Sequence, residues 1–113
     1  MRDSAPPLGT MTERVQLQRK DTSAEAEGGH LSVYTPIATV WARVRRLSAR
    51  QAFESDARGR EISHSVVIRH RTDLKPGDRV VLRGEILEIA ACSDLNGQRA
   101  YLNCQCIARA VTG

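Results

Sequence analysis

Residues 64–71 read His64-Ser65-Val66-Val67-Ile68-Arg69-His70-Arg71. His64, Val66, Ile68 and His70 fall on one side of an extended chain, and Ser65, Val67, Arg69 and Arg71 on the other. That period of two predicts a half-buried β-strand. Downstream, Pro76-Gly77-Asp78 is a turn in which proline presets φ and glycine supplies positive φ. Arg79 to Arg83 then reads as a strand, Gly84-Glu85 as a tight turn and Ile86 to Cys92 as the returning strand. Asp94-Leu95-Asn96-Gly97 is a second turn signal, and residues 99–109 form a last strand with Ala100, Leu102, Cys104, Cys106 and Ala108 on one face. Upstream, Glu13 to Arg19 alternates with Val15 and Leu17 inward, and residues 20–33, small and polar around Gly28-Gly29, read as a loop. Residues 35–46 are rich in β-branched side chains and predict a second strand. Between it and residue 61, Ser48 is a candidate N-cap and Gly59 a stop, which predicts one short helix or an ordered long loop. About six closely spaced strands with turns between them predict an all-β fold, a small antiparallel barrel or sandwich with that insert after the second strand. Residues 1–12, with Pro6, Pro7 and Gly9, read as an extended arm, and residues 13–113 as a single domain.

The composition narrows the function classes. The chain has 113 residues, 41% of them hydrophobic and 27% charged, which suits one modest core. Aromatic residues make up only 4%, too few for a stacking platform that binds single-stranded nucleic acid. The longest apolar run, Ile89 to Cys92, is too short for a membrane span, and Met1 to Met11 has no apolar stretch typical of a secretory signal. The net charge is +4 and unevenly distributed. Residues 43–71 hold eight arginines against three carboxylates, so the rest of the chain sums to −1. Such a segment suits phosphates, and equally a solvated surface.

Reactive chemistry has little support. Cys92, Cys104 and Cys106 are odd in number and too close together for a disulfide framework, which points to a reducing compartment. Cys104 and Cys106 share a strand face with Leu102, as small core hydrophobes do, and no paired Cys-x₂-Cys knuckle accompanies them. His64 and His70 share the face of Val66 and Ile68, which predicts buried, hydrogen-bonded imidazoles. Ser48, Ser63 and Ser65 lack the glycine-flanked elbow of a serine nucleophile, and no phosphate-cradling loop is present. No catalytic residue, metal site or cofactor is expected.

Several stretches in order resemble the head–tail joining proteins of long-tailed phages and phage-like particles, also called head-closure, stopper or head–tail adaptor proteins. They are Arg14-Val15-Gln16-Leu17-Gln18-Arg19, Trp41-Ala42-Arg43-Val44, Leu47-Ser48-Ala49-Arg50, the strand from His64 to Arg71, and Arg79-Val80 followed by Gly84 and Ile86-Leu87-Glu88-Ile89. The likeness spans roughly residues 13–109. His70 stands where the family often has an aromatic residue. The resemblance implies a barrel subunit that forms a homo-oligomeric ring of six or twelve copies at the neck of the virion, assembled in the host cytoplasm. Such a ring lies between the portal or adaptor and the tail terminator or tail tube. It extends the channel for double-stranded DNA, retains the packaged genome and docks the tail. The segment Leu47–Glu61 would be its gating element. On that reading Arg46, Arg50, Arg58 and Arg60 face DNA or form ion pairs between subunits. Phe53 anchors the segment, packs on a neighbour or caps its own barrel. Trp41, Val44, Val66 and Ile68 serve subunit or barrel packing. Two alternatives stay open: a small barrel that binds nucleic acid as a monomer, and a metal-assisted hydrolase built on His64, His70 and the cysteines.

Overall fold

In the computed structural model, the described residues are 10–24, 30–48, 50 and 62–108. Six strands run β1 (Glu13–Ala24), β2 (His30–Arg46), β3 (His64–Arg69), β4 (Arg79–Leu82), β5 (Glu85–Asp94) and β6 (Tyr101–Ala108), with a 3₁₀ turn at Leu95–Gly97. They close an antiparallel barrel in the order β1-β2-β3-β6-β5-β4. The expected all-β barrel is therefore present. The helix or loop expected at 47–58 falls almost entirely outside the described residues.

The alternation read from the sequence places the core. Val15 and Leu17 on β1, Val66 and Ile68 on β3, Val80 on β4, Leu87 and Ile89 on β5, and Leu102, Cys104 and Cys106 on β6 all point inward and are buried. Each such aliphatic side chain contributes about 1.5–3 kcal/mol relative to exposure. Val67 departs from the pattern. It faces outward by register, opposite Arg43 and Asn103, yet is 1% exposed. Ala100 and Ala108, expected on the inner face of the last strand, are both exposed.

The turns obey their backbone chemistry, with one shift. Arg83 (φ 50°) and Gly84 (φ 83°) are the two central residues between β4 and β5, and Leu82 pairs with Glu85. Two consecutive positive φ values match the twist of a two-residue hairpin. The tight turn is therefore Arg83-Gly84, one residue earlier than expected. Gly77, at φ 100°, occupies the positive-φ position of the Pro76 turn, and the Asp78 N–H donates to Lys75 O at 3.1 Å.

The largest correction concerns residues 20–33. Instead of a loop there, β1 continues to Ala24 and β2 begins at His30, with pairing from Lys20↔Tyr34 to Ala24↔His30. β4 accompanies β1 only over Gln16–Gln18, so this outer part is a two-stranded ribbon. Main-chain hydrogen bonds make this ladder, and Lys20 to Ala24, polar and without apolar alternation, disguised it. Between Leu17↔Ala38 and Gln18↔Pro36 the register shifts, leaving Ile37 as a bulge. Pro36 cannot donate to a ladder and sits beside this bulge, where its missing N–H does least harm.

Candidate functional site

The polar groups inside the barrel join strands. Ser63 extends β3: its N–H donates to Cys106 O at 2.9 Å, and its carbonyl accepts from Leu47 N at 2.9 Å. Its Oγ accepts the N–H of Ala108 at 2.8 Å and lies 2.8 Å from His64 Nδ1 and 3.3 Å from Cys106 O. The single hydroxyl proton serves either the imidazole or the carbonyl. His64 Nε2 lies 3.8 Å from Glu85 Oε1, beyond hydrogen-bond distance. Serine, histidine and glutamate thus stand in a row, but the hydroxyl is held by the end of β6, and the imidazole is 4% exposed. The hydroxyl ties β3 to β6, and Glu85 at the start of β5 stands near the imidazole without a hydrogen bond.

Burial pushes the His64 imidazole below its ordinary value, the Glu85 carboxylate pulls it partly back, and Arg46 lowers it again. The folded chain therefore holds this ring neutral at pH values where the unfolded chain already binds a proton. His64 contributes fully to stability above about pH 6.5, and that contribution is lost as pH falls through the lowered folded value. In urea titrations from about pH 7.5 down to 5, the wild-type midpoint should fall more steeply than that of His64→Gln. Parallel profiles would show that His64 does not titrate differently on folding.

The cysteines lie in the wall. Cys92 pairs with Cys104 across β5 and β6, and Cys106 is fully buried two residues on. The hydrogen bond with Cys92, then burial, raises the Cys104 thiol; burial raises Cys106. His70 stands beyond the end of β3 and His64 at its start. Among the described residues no cluster of three or more histidine, cysteine or acidic side chains could hold a metal.

The remaining sequence-derived sites are dispersed. Val66 and Ile68 are in the core, and Val44 packs against it. Trp41 lies on the outside, 51% exposed, opposite Arg14 on β1, whose guanidinium carbon stands 4.8 Å from the ring centroid. Arg46, at the end of β2, and Arg50 are exposed. Phe53, Arg58 and Arg60 lie outside the described residues.

Two features escaped the sequence reading. Asp78 is completely buried, and its Oδ1 accepts the N–H of Lys20 at 2.9 Å while Oδ2 accepts that of Lys75 at 3.1 Å. Neighbouring backbone bonds, Gly77 N to Ile89 O and Ile89 N to Asp78 O, both 2.8 Å, tie the same turn to β5. The Asp in Pro-Gly-Asp was the available signal, but the partner 58 residues away was invisible. The second is a groove of about 850 Å³ where β2 and the chain after β3 part. Met11, Val40 and Trp41 line it, together with Arg14, Arg69 and Arg71.

The geometry defines a small closed barrel whose buried polar groups, Asp78 among them, fasten its strands. A family model for phage head completion proteins matches residues 6–109, and the chain belongs to that family. Two solved structures share the fold. One is the solution structure of protein SF1141 from Shigella flexneri 2a, with TM-score 0.72, 23% identity, and 93% of this chain and 98% of that one covered. The other comes from the virion of a native gene transfer agent particle, with TM-score 0.64, 21% identity, and 84% of this chain and 91% of that one covered. No curated protein matches the chain. Family membership assigns a structural role in head completion, in the company of other virion proteins. Among the described residues no helix is long and apolar enough to cross a membrane.

Proposed function

We propose that the chain is the head-closure subunit of a tailed phage or phage-like particle. Copies of the barrel form a ring of six or twelve at the neck, between the portal or adaptor and the tail terminator or tail tube. The ring prolongs the DNA channel, retains the packaged genome and docks the tail. Its work is mechanical and involves no catalysis. The family match over residues 6–109 carries this reading.

Arg50, Phe53, Arg58 and Arg60 belong to the segment proposed for the channel, and Arg46 immediately precedes it. With Arg46 counted, four arginines stand against Glu54, Asp56 and Glu61, and this single net positive charge per copy becomes a belt once repeated around a pore. Such a belt meets phosphates without reading bases. Deletion of the gene, followed by imaging of the particles, tests the role. The expected products are filled heads that leak DNA and carry no tails. Normal tailed particles would reject the reading.

A further inference from the structure

The described part of β2 is 17 residues long, but β3 pairs with it only over Arg43–Arg46. Among the described residues, the stretch from Tyr34 to Ala42 has β1 on one side and no strand on the other. An open strand edge presents backbone donors and acceptors without partners, which other chains can pair with. Along this edge lies the groove. Its floor is apolar, from Met11 (6% exposed), half-buried Val40 and the ring of Trp41. Its rim carries Arg14, Arg69 and Arg71, and no carboxylate lines it. Asp73 binds Arg71 through two hydrogen bonds, of 2.8 and 2.7 Å, from outside the groove. Arg14 lies over the Trp41 ring, and Arg69 is exposed with no ion pair among the described residues.

We propose that this edge receives an extended acidic segment of a neighbouring virion protein, added as a strand beside β2. Backbone hydrogen bonds to β2 supply the register. Apolar side chains of the segment lie on the barrel side against Val40, and the alternating carboxylates lie on the outer side, where Arg14, Arg69 and the edge of Trp41 are. Strand addition combines these elements: main-chain bonds for affinity, alternate side chains for specificity. Duplex DNA fits the site poorly, because a sugar–phosphate backbone has no apolar side chain for the floor. The inference takes from the functional reading only that the protein works among other virion subunits.

Trp41 is the single tryptophan of the chain, so its emission reports the groove directly. The probe is a capped heptapeptide that alternates glutamate with leucine or valine, titrated into the purified protein. The expected result is a saturable blue shift. Binding should weaken about tenfold or more when lysine replaces glutamate in the peptide, and likewise with Arg69→Glu. Arg69 is exposed, so circular dichroism of that variant should match wild type. Two further peptides, N-methylated at the odd or the even positions, test the strand pairing: one set must lose binding. Equal responses to all peptides would overturn the proposal, as would no response, or displacement of the acidic peptide by a short DNA duplex. A photo-crosslinker in place of Thr39, used in assembled particles, should map to an acidic stretch of a different virion protein. Mapping to a second copy of this chain, to DNA or to nothing would overturn it. If deletion of the gene leaves tailless heads while these binding experiments fail, the groove inference falls alone.

Discussion

Asp78→Ala should destabilise the protein by about 2–4 kcal/mol, one of the two largest single-residue losses expected. The carboxylate is completely buried and accepts the main-chain N–H groups of Lys20 and Lys75. Hydrogen bonds to an ionised acceptor are stronger than neutral ones. Removing the acceptor leaves two donors short of partners, each of which costs about 1–3 kcal/mol when water does not reach it. Lys20 lies just past the last β1–β4 pair, Gln18↔Arg79, so Asp78 fastens the ribbon where the barrel ceases to support it. Asp78→Asn keeps the shape but turns one acceptor into a donor facing a donor. It should lose roughly half as much. Urea unfolding with an unchanged slope checks the magnitude, and hydrogen exchange checks the location: the Lys20 amide should exchange faster in both variants. A loss below about 0.5 kcal/mol for Asp78→Ala would show that solvent replaces the carboxylate at little cost.

Leu17→Ala should cost about 3 kcal/mol, within the usual 2–5 for a buried leucine. Leu17 is fully buried and pairs with Ala38 on β2 and Val80 on β4, so it sits where three strands meet. The bulge immediately after it limits how far β1 can shift to fill a void. Gln16, one residue earlier, faces out, and its side chain accepts a hydrogen bond from Gln18 Nε2 at 2.8 Å. Gln16→Ala should therefore change stability by less than about 0.5 kcal/mol. Urea midpoints of the two variants compare adjacent positions on opposite faces of one strand. Similar losses at both would mean that the face assignment of β1 is wrong. Against a total of about 5–15 kcal/mol for a domain of this size, either large loss would leave little margin at elevated temperature.

Much of the fold was legible because the barrel has one dry face. His64 to Arg69, Val15 and Leu17, and Leu102 to Cys106 each show their inner side by alternation. Where that contrast vanished, the reading failed. Lys20 to Ala24 pairs with His30 to Tyr34, but Lys20 to Ala24 offers no apolar alternation, so the stretch resembled a loop. Val67 was placed on the solvent side by its neighbours, yet it is buried. The site was less legible. Arg46 and Arg50 could be named as exposed cations because arginine clusters stand out in a sequence. The groove could not, because Met11, Arg14, Val40, Trp41 and Arg69 come from three separate stretches and nothing in their spacing relates them.

What residue order alone settled was periodicity and punctuation: which positions prefer a dry face, and where Pro76-Gly77 and Gly84 must turn the chain. These depend on side-chain polarity and on φ, which are local properties. Closure of the ladder between β1 and β4, the anchoring of Lys20 by Asp78 and the edge of β2 left without a strand among the described residues depend on contacts between residues dozens of positions apart. Only the folded chain decides those, because a backbone donor carries no mark of which distant acceptor it will meet.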